Sequence, residues 1–154
     1  MNDQKNDVDM VDVGSKPDTC RRAKAQGQIA MSQETLDAIA HSRLPKGDVL
    51  SVAKTAGIMA AKQTSNLLPL CHPLPISDVS IQIEQSKNGA GLVVHTSVGY
   101  TGKTGVEMEA LTACATALLT IYDMAKGEEK GMTIRSIRLV EKEGGESGHW
   151  KRGD

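Results

Sequence analysis

The sequence predicts an α+β fold: a four-stranded antiparallel sheet with its helices on one face. Three observations predict it. Residues 21–31 alternate strictly, with Ala23, Ala25, Gly27, Ile29 and Met31 on one side and Arg22, Lys24, Gln26 and Gln28 on the other. That is the two-residue period of a strand with one buried face. Val79, Ile81 and Ile83 then alternate with Ser80, Gln82 and Glu84, and a strand over 92–100 follows across Lys87-Asn-Gly-Ala-Gly91. Asn-Gly suits the positive φ of a hairpin turn. Residues 104–126 carry Val106, Ala110, Ala113, Ala117, Leu118 and Ile121 at helical spacing. The small residues in that stripe let a helix approach a sheet closely.

The other elements fall between these. Residues 1–18 are polar and read as a flexible segment in which Met10-Val-Asp-Val13 is a candidate for docking. Ser32 caps a short helix over 33–41, with Glu34 and Asp37 in its N-terminal half. Leu44-Pro-Lys-Gly47 breaks the chain, and Asp48 caps a second helix to about residue 63, with Val49, Val52, Ala53, Ala56 and Ala60 at helical spacing. Asn66-Leu-Leu-Pro-Leu-Cys-His-Pro-Leu-Pro75 has three prolines in seven residues. It can be neither helix nor central strand, so it reads as a stiff apolar loop. Gly127-Glu-Glu-Lys-Gly131 ends the long helix, and 132–142 is a fourth strand with weaker alternation. Residues 19–148 form one domain and 149–154 a flexible tail. Merging the first two helices gives the ferredoxin-like β-α-β-β-α-β order with an extra N-terminal helix. One sheet face then lacks a cover, a natural seat for a partner subunit. Such folds host many functions, so the fold does not decide the function.

Composition excludes several classes. With 154 residues the chain is one domain long, and it has no Phe, one Trp and two Tyr. Ala, Val, Ile, Leu and Met must fill the core. A net charge of −1 provides no global basic field for nucleic acid. Near-absent aromatics leave no platform for stacking bases, which speaks against an RNA-recognition module. Cys20, Cys71 and Cys114 make neither a C-x-x-C pair nor an even framework, which points to a reducing compartment and the cytoplasm. No apolar run reaches membrane-spanning length, and the first residues are acidic and polar, unlike a signal peptide.

The chemistry concentrates around Thr101-Gly-Lys-Thr-Gly-Val-Glu-Met-Glu-Ala-Leu-Thr112. A glycine-flanked lysine opens a helix, whose N-terminus attracts anions. Glu107 and Glu109 sit in the first turn and accept hydrogen bonds. The mixture suits a ligand with both phosphates and N–H donors, such as a nucleotide or pterin. It is not a P-loop: the glycine needed five residues before Gly102-Lys103 is replaced by Ser97. Cys71-His72-Pro73 holds a histidine in the stiff loop, either bonded to backbone or placed to move a proton near neutral pH. Cys71 reads as a packing residue, and no second Cys/His pair has zinc-ligand spacing. Asp123 and Lys126 share a helix face, as a surface ion pair or, within a pocket, as a proton relay. Arg21, Lys46, Lys62 and Lys103 lie at element ends; they are solvated charges unless gathered into a polyphosphate site. Glu107 and Asp123 are sixteen residues apart on one helix, or about 24 Å. One small substrate cannot touch both ends, so either one end is idle or a partner subunit brings the opposite end of its own helix.

Lys46-Gly-Asp-Val49, Ala56-Gly-Ile58, Ala60-Ala-Lys62, Leu68-Pro-Leu-Cys-His-Pro-Leu74, the 101–112 stretch and Leu119-Thr-Ile-Tyr-Asp-Met-Ala-Lys126 together resemble the cyclic pyranopterin monophosphate synthases, the molybdenum cofactor biosynthesis C proteins. The resemblance runs collinearly over about residues 10–148. It implies a lyase acting on 3′,8-cyclo-7,8-dihydroguanosine 5′-triphosphate, with cyclic pyranopterin monophosphate and pyrophosphate as products and no redox cofactor. It implies a homohexamer, a trimer of dimers with active sites between subunits. By position it implies Asp123 as acid/base with Lys126 as its partner. Leu70, Cys71, His72, Met108 and Glu109 would line the substrate pocket, joined by Arg21, Lys46, Lys62 and Lys142. There are departures. Gly144-Gly-Glu-Ser-Gly148 stands where the resemblance expects Gly-Gly-Lys-Ser-Gly, so Glu146 is not counted as a phosphate contact. Lys54-Thr55 replaces the more familiar Arg-Ile. The alternative is a non-catalytic nucleotide-binding regulatory module on the same fold.

Overall fold

The structure is a computed structural model that describes residues 7–153; the flexibility expected of residues 1–6 and 154 lies outside the described residues. Strand β1 (Thr19–Ala30) is followed by helices α1 (Gln33–Ala40), α2 (Val49–Lys62) and the single turn α3 (Thr64–Leu67). The hairpin β2 (Asp78–Gln85) and β3 (Gly91–Gly102) comes next, then α4 (Glu107–Ala125), β4 (Thr133–Glu143) and the short β5 (Trp150–Lys151).

The sheet is antiparallel throughout, in the order β2-β3-β1-β4-β5. Five strands replace the four expected. The fifth comes from the segment assigned to the tail, where Glu141 and Lys142 pair with Lys151 and Trp150. Two residues carry too little periodicity to announce a strand. The single turn α3 escaped for the same reason. Helix α4 begins at Glu107 rather than Thr104, because residues 103–106 form the link from β3.

The alternation read in β1 is the observed one: every second residue from Arg21 to Ile29 is buried. Helix α4 lies across that face against β1, β3 and β4, and α2 packs on α4 and β2. Ile29, Val94, Val98, Ala113, Ala117, Leu118 and Ile121 are almost wholly buried between the layers. The Ser32 side chain accepts from the Thr35 N–H, and Asp48 accepts from the Ser51 N–H, so both helices start where their caps predict. The opposite sheet face bears a polar groove lined by Lys24, Gln26, Ser80, Gln82, His95 and Ser97.

A core without phenylalanine is filled by bringing backbones close together. A Cβ at Gly57 on α2 would overlap the Ile81 side chain and stand 3.0 Å from the Ala113 carbonyl oxygen on α4. Gly57→Ala is therefore expected to destabilise the protein. Overpacking costs about 1–3 kcal/mol, against about 1 kcal/mol regained from helix propensity. A fall of a few degrees in thermal midpoint would bear this out. Gly27 has the same role under α4: a Cβ there would stand 2.6 Å from Leu118 Cδ1 and 3.1 Å from Cys114 Sγ. Strand β4 bulges opposite it, with Gln26 paired to Arg138 and Gln28 to Arg135.

Candidate functional site

Helix α4 is delivered to its place by a braced link. Arg21 projects from β1 into the interior, only 9% exposed. Its Nε donates to the Gly102 carbonyl at 2.9 Å and its second nitrogen to the Lys103 carbonyl at 3.1 Å. The Thr104 N–H donates to the Tyr100 hydroxyl at 3.0 Å. Buried charge-assisted bonds of this kind are strong because water does not compete. They fix the glycine-flanked stretch as it enters the helix. Lys103 points outward, its Nζ on the Lys16 carbonyl at 2.8 Å and 3.5 Å from Asp18.

Two cavities open around this helix start, each of about 550 Å³. The first is mainly apolar. The proline-stiffened loop supplies Leu68, Leu70, Cys71, His72 and Leu74, and α4 supplies Glu107, Met108 and Glu109. The N-terminal segment closes a side with Val11, Val13 and Lys16. His72 Nε2 lies 2.8 Å from the Val11 carbonyl, so the docking expected of 10–13 is observed, and His72 takes the backbone-bonded option in the chain as it stands.

Glu109 is the unusual group here. It is 3% exposed. One carboxyl oxygen receives the Cys71 thiol at 3.6 Å, and the other has no hydrogen-bond partner among the described residues. Burial, with Glu107 nearby as a lesser cause, raises its pKa above the ordinary carboxyl range. Burial and the Glu109 carboxylate push the Cys71 thiol up to about 11. Cys71 is thus a thiol at neutral pH and no ready nucleophile, in line with its reading as a packing residue. Cys114, buried under β3, is pushed by burial to about 12. Glu109 was expected as a first-turn acceptor and, by the family resemblance, as a pocket residue; its burial could not be seen in a residue flanked by Met108 and Ala110.

The second cavity is polar. It is lined by Lys16, Pro17, Thr19, Arg21 and Lys142, and by Gly145, Glu146 and Ser147 of the glycine-rich stretch. It shares Lys16, Thr104, Gly105 and Glu107 with the first. Lys142 Nζ lies 3.2 Å from Glu107 Oε1 and 2.7 Å from Ser147 Oγ. Glu107 therefore faces the basic cavity while Glu109 faces the apolar one. Sequence reasoning placed both at the helix start without separating them. It missed Lys16, Thr104 and Ser147 as lining residues. Lys16 carried only the polarity of a segment read as flexible.

The remaining candidates lie elsewhere in the chain. Lys46 joins Asp123 and Lys126 at the far end of α4. Asp123 receives Lys126 Nζ at 2.9 Å and Lys46 Nζ at 3.1 Å, with its side chain 57% exposed. The two lysines, Lys126 first, hold its carboxyl below the ordinary value of 3.8. A cavity of about 460 Å³ opens there, bounded also by Leu44, Pro45, Met124 and Lys130. Lys62 is exposed in the last turn of α2 and lines none of these cavities. The four basic residues weighed as a polyphosphate site are thus not gathered within one chain: Arg21 and Lys103 adjoin, Lys46 stands at the opposite helix end, and Lys62 lies apart.

Among the described residues one group has metal-ligand geometry: Glu141, Glu143 and His149 hold ligand atoms within 4.8 Å of one another. Strand alternation puts Glu141 and Glu143 on the opposite face from Lys142, hence away from the cavities. Lys24 at 3.0 Å and His149 at 2.8 Å already occupy the two Glu141 oxygens.

Comparison with known proteins agrees with this geometry. The MoaC family profile matches residues 10–145. A cyclic pyranopterin monophosphate synthase of Novosphingobium aromaticivorans is 57% identical over 142 residues, covering 92% of this chain and 89% of its own. Proteins of the same name from Cereibacter sphaeroides and Thermomicrobium roseum are 53% and 49% identical. They cover 97% and 99% of this chain and 94% and 92% of their own lengths. With a match spanning both cavities, the proline loop and all of α4, the chain belongs to the MoaC family.

Proposed function

We propose that the protein is a cyclic pyranopterin monophosphate synthase, a phosphorus–oxygen lyase that converts 3′,8-cyclo-7,8-dihydroguanosine 5′-triphosphate to cyclic pyranopterin monophosphate and pyrophosphate in molybdenum cofactor biosynthesis. One observation carries the reading. An apolar cavity with a buried, half-unpaired carboxyl adjoins a basic cavity at one helix start. That pair fits a ring with N–H donors joined to a polyphosphate. The ring edge would satisfy Glu109 between Met108, Leu70 and Cys71, and the phosphates would lie toward Lys16 and Lys142.

The reaction needs proton transfers and charge stabilisation. Opening the purine and closing the pyrazine ring move several protons, which His72, Asp123 and Lys126 are suited to carry. In forming the cyclic phosphate, a substrate hydroxyl oxygen attacks the α-phosphorus. The P–O bond to pyrophosphate breaks, the hydroxyl proton leaves to a base, and lysines stabilise the departing charge. Asp123 and its lysines lie at the wrong end of α4 to serve the two cavities at its start in the same chain. We therefore assign them, with Lys46, to the site of a partner subunit, in a homohexamer built as a trimer of dimers. Lys142 belongs to the substrate-binding set through its place in the basic cavity, and Lys62 joins that set on the family resemblance alone. The strand order β4-β1-β3-β2 with α2 and α4 on one face supports the ferredoxin-like reading. Three cysteines without disulfides accord with a cytoplasmic enzyme.

The test supplies the purified oligomer with the cyclised GTP derivative and follows pyrophosphate and pterin product together. Stoichiometric appearance of both is expected. Tight binding of the substrate without turnover would instead establish the nucleotide-binding regulatory module.

A further inference from the structure

We infer that the N-terminal segment decides which nitrogen of His72 moves protons: the Val11 carbonyl keeps Nε2 protonated, and Nδ1 is the nitrogen that exchanges protons with the ligand. The inference rests on the proposed function and adds Val11 to that same site as a positioning residue. His72 Nε2 lies 2.8 Å from the Val11 carbonyl oxygen, a full-strength hydrogen-bond distance. A carbonyl oxygen only accepts. In a neutral imidazole one nitrogen donates and the other accepts. Nε2 must therefore carry the hydrogen, because the reverse would set two lone pairs against each other. Among the described residues Nδ1 has no hydrogen-bond partner, and the ring lines the apolar cavity. The two roles weighed for this histidine are thus compatible: one nitrogen bonds to backbone while the other keeps a free lone pair.

Both sides of the contact are held. Pro73 restricts the His72 backbone to extended conformations, and the Cys71 N–H donates to the Leu68 carbonyl at 3.1 Å. On the segment, the Gly14 N–H donates to the Asp12 carboxylate at 2.8 Å and the Lys16 N–H to the Val13 carbonyl at 3.1 Å. Lys103 Nζ reaches the Lys16 carbonyl at 2.8 Å and Asp18 at 3.5 Å. Val13 is half-buried and lines both the apolar cavity and one of about 360 Å³ beside it. The titratable groups around the ring are Cys71, Glu107, Glu109, Lys16, Asp18 and Lys103. None of these side chains bonds to it, so the Val11 carbonyl alone orients the imidazole. When Nδ1 takes a proton from the ligand, the ring becomes an imidazolium and the Nε2–H bond to Val11 becomes charge-assisted, roughly twice as strong. When Nδ1 returns the proton, the ring reverts to the same tautomer. Val11 thus stabilises a charge that exists only during the transfer, which raises kcat rather than affinity.

Nitrogen NMR of the intact protein, labelled with ¹⁵N at histidine and held about two pH units above the ordinary imidazole pKa of about 6.5, reads the tautomer directly. The His72 signals are those missing from His72→Gln. They should show hydrogen on Nε2 and a bare Nδ1. Hydrogen exchange at the Gly14 and Lys16 amides reports whether the segment is docked. Glutamine offers an amide donor where Nε2 stands but nothing that titrates, so His72→Gln should keep wild-type exchange and lose turnover. His72→Ala should lose turnover and exchange both amides faster. Val13→Asp leaves His72 in place but puts a carboxylate into the docked face, which burial disfavours. It should free the same amides, let the His72 ring sample both tautomers, and lower kcat and kcat/KM together by about tenfold or more, as for loss of one charge-assisted hydrogen bond. A wild-type ring with its hydrogen on Nδ1 overturns the inference, and so does unaltered kcat in Val13→Asp. An Nε2–H ring with a docked segment, in protein that yields no pterin, would instead overturn the proposed function and leave the Val11 contact standing.

Discussion

Asp123→Ala is expected to lower kcat by about 10²–10⁴-fold, the usual contribution of one general acid or base, and to leave folding and assembly unchanged. The side chain is more than half exposed and its partners are two exposed lysines, so its removal costs the fold little. Its carboxyl pKa is depressed, with Lys126 and then Lys46 as causes. It is ionised at neutral pH and stays so until the pH falls below its ordinary 3.8. An anion between two ammonium groups can take a proton and pass it on. Mixing provides the sharper result. If each site takes Glu109 from one chain and Asp123 from its partner, a pair of Asp123→Ala and Glu109→Gln chains has one intact site and one doubly damaged site. Random re-pairing of the two inactive variants should then restore about a quarter of wild-type activity, as two-fold symmetry requires. Activity that stays at the level of the parents would refute the shared site, and Asp123→Ala with full turnover would return the cluster to a surface ion pair.

The sequence announced its elements wherever one period dominated. Strand β1 alternates without interruption because it is the sheet strand under α4, and both long caps were legible because Ser32 and Asp48 have few other uses at such positions. Elements of two to four residues, β5 and α3, left no period to read. The site was legible as a set of types and less so as an arrangement. The proline loop and the start of α4 were both identified, and they do meet. Periodicity could not tell Glu107 from Glu109, since the two differ only in which wall of the helix start they face. Lys16 was hidden because its order comes from tertiary tethers, the Lys103 ammonium on its carbonyl and the His72 ring on Val11. Such contacts leave no mark on a polar segment.

Glu109→Gln is expected to abolish most turnover while making the protein more stable at neutral pH. Glutamine preserves the shape, and its carbonyl oxygen can still receive the Cys71 thiol, but it withdraws the carboxylate from the apolar cavity. Losing a buried acceptor that meets the reacting group costs about 10²–10³-fold in kcat. The stability change runs the other way. Burial raises the Glu109 pKa above its ordinary 4.5, so between those two values the unfolded chain has released a proton that the folded chain retains. Stability therefore falls as pH rises through that window. The cost is absent below the unfolded value and fully present above the folded one. Glutamine does not titrate, so the variant escapes this loss. Its thermal midpoint should exceed that of the wild type at pH 7, and the gap should close as the pH approaches 4. A midpoint below wild type at pH 7 would mean that the buried carboxylate is stabilised in the free protein. The unpaired oxygen would then not be a vacancy for a ligand's N–H donors. A stabilised and inactive variant would show that the fold tolerates an unsatisfied carboxyl at this helix start because the substrate completes it.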